Sequence, residues 1–197
     1  MGYSANASKA HPLLDPTRVT VCRLLNQHIT ETIDLQLKAR TAAAAIKDRP
    51  CVLDLKPLFE GIARDLIESA DVVAGHIHAL EGRDCATIRR IVQQSPEDFE
   101  RSADDRKSLQ AMLSSYAKYD SATRNIIKTV EEMGDSETEA LLKRICFSTE
   151  RNLWLLETYL EASAVGLHGR KLPQWTPAFE NDFRNLERNQ RICSHGI

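Results

Sequence analysis

The stretch TRVTVCRLLNQHITETIDLQLKARTAAAAIK, residues 17–47, decides the fold. Val21, Leu25, Ile29, Ile33 and Leu37 recur at every fourth position and lay one apolar stripe along a helix. No Gly or Pro interrupts before Pro50, so the spacing predicts a helix over 17–47, on the order of 45 Å long at ~1.5 Å per residue. Its last turns are almost featureless, with four consecutive alanines from Ala42 to Ala45. Alanine is the strongest helix former. The run therefore keeps the helix while reducing its side chains to methyl groups.

Three more helices follow from the same logic. Leu58, Ile62, Leu66, Ala70, Val73, Ile77 and Leu80 step by three and four. Asp54 can cap that helix, Pro57 falls in its first turn, and Gly82 ends it. Residues 83–103 form a crossover in which ATIRRIVQQ suggests a short helix and SPED supplies Ser95 as a cap with Pro96 behind it. Leu109, Met112, Tyr116, Tyr119, Ile126, Val130 and Met133 mark a third long helix that stops at Gly134. Ser136 and Glu139 read as a capping box for a fourth, which carries Leu141, Ile145, Thr149, Leu153, Leu156 and Leu160. Two tightly connected pairs joined by one long crossover predict an all-α, ferritin-like four-helix bundle over 16–163. Residues 1–15 read as an N-terminal arm and 164–197 as a C-terminal extension, in which Trp175, Phe179 and Phe183 resemble packing anchors.

Composition narrows the function classes. Among 197 residues, 26 Lys and Arg stand against 28 Asp and Glu, so the whole chain is no general polyanion binder. Five cysteines, odd in number and without a CxxC, argue against a disulfide framework or structural zinc and for a reducing, cytoplasmic setting. The first residues show no apolar signal segment, and no apolar run approaches the ~20 residues of a membrane span.

LLNQHITETIDLQLKAR (24–40), LFEGIARDLIESADVVAGHIHALEG (58–82) and GDSETEALLKRICFSTERNLWLLETYLE (134–161) resemble the Dps family, the mini-ferritins called DNA-binding proteins from starved cells. The resemblance covers about residues 19–161. It implies a hollow dodecameric shell that oxidises and stores iron, with iron sites shared between two subunits across a two-fold axis. Taken residue by residue, the family's first histidine falls on Ala44 and its tryptophan on Ala45. The second histidine falls on Lys56, the acid of the same motif on Glu60, the later Asp on Asp71 and the following Glu on Gly75. Three of the four principal ligand positions are thus Ala, Lys and Gly.

Iron oxidation needs imidazole and carboxylate ligands with a position left open. Methyl groups and an ammonium supply none, so the usual ferroxidase centre is expected to be absent or strongly impaired. Asp71, Glu60 and His78 remain as candidate metal ligands. Lys56 is expected to pair with Asp71 or Glu60 across the two-fold interface, a fixed cation in place of the metal. His28 reads as a satisfied core or interface histidine, and no E-x-x-H motif offers a di-iron centre elsewhere. Glu131, Glu132, Asp135, Glu137 and Glu139 read either as pore acids or as ordinary surface charges. Candidate DNA contacts are Lys9 in the arm and Arg170, Lys171, Arg184, Arg188 and Arg191 in the extension, a thin set whose avidity would come from many copies.

Three functions stay open at this point. One is an iron-storing or DNA-protecting shell with little ferroxidase activity. Another is an active ferroxidase or peroxide-consuming mini-ferritin built on a relocated site. The third is a structural shell subunit, including one that co-assembles with an active Dps paralogue.

Overall fold

The computed structural model describes residues 15–46, 55–80 and 104–164. They form four helices: α1 (Asp15–Ala45), α2 (Leu55–Ala79), α3 (Asp105–Glu132) and α4 (Ser136–Ala164). Each face of the bundle pairs α1 with α2, α3 with α4, α1 with α3, and α2 with α4.

The core has two apolar ends. Val21, Leu25 and Ile29 of α1 meet Val73 and Ile77 of α2, Ile126 and Val130 of α3, and Leu141, Leu142 and Ile145 of α4. At the other end Leu35, Ala39, Ala42 and Ala43 meet Phe59, Ile62 and Leu66, with Leu109 and Met112 of α3 and Leu156 of α4. The start of α1 thus meets the ends of α2 and α3, and the start of α4 meets the ends of the same two helices. Packed neighbours are therefore all antiparallel, and the diagonal pair α2 and α3 runs parallel. A parallel pair needs a connection that travels the length of the bundle, which is the long crossover of a ferritin-like fold.

A hydrogen-bonded belt lies between the two ends. Thr32 Oγ1 donates to the His28 carbonyl at 2.7 Å and accepts from the Tyr119 hydroxyl at 3.0 Å. That hydroxyl accepts in turn from His28 Nε2 at 3.1 Å. Asn152 Nδ2 reaches Asp65 Oδ2 at 3.1 Å and the Tyr116 hydroxyl at 3.2 Å, and Arg151 pairs with Asp65. Buried polar groups need such partners, because an unmade bond costs the full desolvation of the group. His28 is 0% exposed, and burial holds its pKa down at about 4, so it is neutral near pH 7. Burial likewise raises the tyrosine hydroxyls Tyr116 and Tyr119 and the Cys22 thiol.

Two local expectations need correction. Leu37 is 49% exposed and does not continue the stripe of α1. A strict step of four advances about 40° per step on a helix, so four steps from Val21 turn Leu37 about 160° away from the starting face. The buried path passes instead through Leu35, Ala39 and Ala42. The cap of α4 is Asp135, not Ser136. Asp135 Oδ1 accepts from the Thr138 backbone N–H at 3.0 Å and Oδ2 accepts from the Thr138 hydroxyl at 2.6 Å. At 3% exposure Asp135 is also no surface acid. The turn before it uses Gly134 at φ 74, a left-handed conformation that glycine adopts without a Cβ clash.

Helix α1 starts two residues earlier than the spacing predicts, and Lys47 lies outside the described residues. Pro57 is the third residue of α2. Asp54, Gly82, the SPED segment and the short crossover helix also lie outside them, and α3 begins on Asp104 as its cap.

Candidate functional site

The alanine run divides by facing. Ala42 and Ala43 are buried against α2, whose facing residues include Phe59 and Ala63, while Ala44 is exposed. Small side chains let two helices approach closely at their crossing. Beyond the inner pair a cleft of about 650 Å³ opens between the end of α1 and the start of α2. Its walls are Ala43, Ala44, Ile46, Ala63 and Ile67, and its charged rim is Arg40, Lys56, Glu60 and Arg64.

Helical spacing explains the rim. Lys56, Glu60 and Arg64 follow one another at intervals of four on α2, so they share one face. Arg40 stands four residues before Ala44 on α1, one turn away on the same side. All four charged residues are exposed at the rim. Among the described residues none of them enters an ion pair. Elsewhere Lys38 pairs with Asp34 at 2.9 Å, Arg124 with Asp120 at 2.8 Å, and Lys143 with Glu139. The cleft therefore holds three cations and one carboxylate.

Of the residues singled out in the sequence, the structure brings Ala44, Lys56 and Glu60 to this one cleft. Asp71, Gly75 and His78 sit further along the same exposed side of α2. Asp71 is fifteen residues beyond Lys56, about 22 Å along the axis, so the two cannot touch within one chain. Asp71 and His78 are about 10 Å apart by the same measure. A Cβ on Gly75 would meet nothing within 4 Å, so that position is open to a side chain. Among the described residues of a single chain, no three His, Cys, Asp or Glu side chains converge as a metal site. A site shared across a two-fold axis draws its ligands from two chains.

His76 faces elsewhere, as expected, and has a partner the sequence did not disclose. Its Nε2 lies 2.8 Å from the Thr138 hydroxyl. That hydroxyl spends its proton on Asp135, so His76 is the donor. Glu131, Glu132 and Glu137 are exposed, and Glu139 binds Lys143. Lys9, Arg170, Lys171, Arg184, Arg188, Arg191 and the anchors Trp175, Phe179 and Phe183 lie outside the described residues. Sequence reasoning missed Arg40 and Arg64. The signal was present in the four-residue spacing of Lys56, Glu60 and Arg64.

Comparison with known proteins follows from this geometry. The family model described as a Ferritin-like domain matches residues 22–164. No curated protein matches the sequence significantly. Among solved structures, the DPS protein of Vibrio cholerae O1 superposes with a TM-score of 0.69 at 23% identity, covering 79% of this chain and 99% of that one. It is described as a member of a broad superfamily of ferritin-like diiron-carboxylate proteins. A variant of Dps1 from Mycobacterium smegmatis superposes with a TM-score of 0.70 at 20% identity, covering 75% of this chain and 99% of that one. An archaeal Dps homologue from Halobacterium salinarum gives 0.69 at 21% identity, covering 85% and 89%. Among the described residues, no helix is long and apolar enough to cross a membrane.

Proposed function

The chain belongs to the ferritin-like family, and on that premise we propose that it is the subunit of a Dps-like shell, a dodecamer, that sequesters iron or protects DNA without the usual ferroxidase centre. The observation that carries this reading is the donor set of the α1–α2 cleft. Iron(II) at a ferroxidase site is cargo and substrate, and it needs neutral imidazoles and anionic carboxylates. The cleft offers the methyl of Ala44, the ammonium of Lys56, two guanidiniums and the single carboxylate of Glu60. A divalent cation entering it meets more positive than negative charge, so no oxidation step is assigned there.

Assembly supplies the missing counter-charge. The exposed α1–α2 side carries Arg40, Lys56 and Arg64 toward one end and Asp71 toward the other, with Leu37 and Ile67 exposed on the same side. A two-fold axis across that side sets the positive end of one subunit on the acidic end of the next. Lys56 then pairs with Asp71 of the partner subunit and holds the dimer where a metal would. Removing one member of such a pair leaves an uncompensated charge at the interface.

The experiment is anaerobic loading with Fe²⁺ followed by oxygen or peroxide, monitored for ferric absorbance, beside a mass measurement in solution. The expected result is a large hollow assembly with oxidation no faster than the protein-free control. Rapid stoichiometric oxidation by the unaltered chain would refute the reading and favour a relocated site on Asp71, Glu60 and His78. Restoring ligands with Ala44→His, Lys56→His and Gly75→Glu together is expected to confer oxidation.

A further inference from the structure

We propose that the α1–α2 cleft is an oxyanion site that takes a phosphate group. It rests on reading the cleft as a converted metal position, and it adds a ligand class.

Charge balance is the first argument. Arg40, Lys56 and Arg64 outnumber Glu60 by two, and pairing Lys56 with Asp71 of the partner subunit still leaves Arg40 and Arg64 against Glu60. Three of the same residue types elsewhere, Lys38, Arg124 and Lys143, each have a carboxylate within their own helix, one turn away. The three rim cations lack one of their own among the described residues apart from Glu60, which they share. Unmatched cations gathered over low-dielectric walls focus a positive field into the cleft and raise the local concentration of anions.

Geometry and size are the second. Arg40 reaches in from α1, and Lys56 and Arg64 reach in from α2, so an anion between the helices meets donors from both sides. Two guanidinium forks and one ammonium match a tetrahedral oxyanion, since guanidinium binds phosphate through two parallel N–H bonds and lysine adds a point charge. At about 650 Å³ the cleft is larger than a bare phosphate needs and falls within the ~300–1,000 Å³ of small-molecule sites. The methyl-lined floor of Ala43, Ala44 and Ala63, with Ile67 beside it, suits a flat apolar body attached to that phosphate.

The test titrates the full-length assembled protein with inorganic phosphate and, separately, with adenosine monophosphate, at constant ionic strength against chloride, by calorimetry. Saturable binding is expected, weakened about tenfold by Arg64→Gln or Lys56→Gln and tightened by Glu60→Gln. All three positions are exposed, so the fold tolerates the changes. Tighter binding of the nucleotide assigns the floor to its base. Equal affinity assigns the site to free phosphate. Absence of saturable uptake, or uptake indifferent to the three substitutions, overturns the inference. Failure of the shell reading looks different: a small mass in solution with phosphate uptake intact.

Discussion

Acidification should destabilise this bundle through one residue. His28 is fully enclosed, with a pKa held at about 4 against an ordinary 6.5. The folded chain therefore keeps His28 neutral through a range in which the unfolded chain is protonated. A base with a depressed folded pKa makes stability fall as pH drops below its unfolded value, and the loss is complete below its folded value. For these two values the loss is about 2 kcal/mol at pH 5 and about 3 kcal/mol below pH 4, at ~1.4 kcal/mol per pKa unit. The assay is urea unfolding at fixed protein concentration across pH 5–8, for the unaltered protein and for His28→Gln. The glutamine amide can still donate to Tyr119 but does not titrate. The variant should be less stable at pH 7.5 and should lose about 2 kcal/mol less than the original on moving to pH 5. Parallel pH curves, within about 0.5 kcal/mol, would refute the assignment of this acid sensitivity to His28.

Other outcomes follow from the packing. Asp135→Ala removes the α4 cap and leaves the Thr138 hydroxyl without its acceptor; a loss of about 1–2 kcal/mol is expected in urea unfolding. Gly134→Ala forces a left-handed alanine and should cost about 1 kcal/mol, read as a lower Tm. Ala43→Leu overfills the α1–α2 crossing and should destabilise by about 1–3 kcal/mol, whereas Ala44→Leu, on the exposed side, should change monomer stability by less than about 0.5 kcal/mol. Lys56→Ala should weaken the two-fold dimer, seen as dissociation at higher protein concentration by sedimentation. If Asp71→Ala has the same effect and the double substitution adds nothing, the two residues act as a pair.

The bundle was legible because burial writes a period into each helix. All seven apolar positions read on α2, from Leu58 to Leu80, are buried. On α1 the period misled, because a step of four is not the helical repeat, and Leu37 rotated outward. The α4 cap was displaced by one residue because Ser136 and Asp135 both fit the local pattern. Only the long-range contact of Thr138 with His76 of α2 distinguishes them. In the cleft the alanines and Lys56 stood out as departures, but Arg40 and Arg64 looked like ordinary surface charge. Their meaning comes from the crossing of two helices, which no single stretch of sequence records.

The polar bonds of the belt and of the α4 cap have a further consequence for the accuracy of folding. Apolar contact has no direction, so two helical hairpins pressed together can slide by one turn, about 5.4 Å, and still bury much of the same surface. The bonds of His28 and Thr32 to Tyr119, of Asp65 to Arg151 and Asn152, and of His76 to Thr138 all join the first hairpin to the second. A slip of one turn breaks every one of them together. They act as a vernier between the hairpins, rejecting misaligned states that hydrophobic burial alone would tolerate.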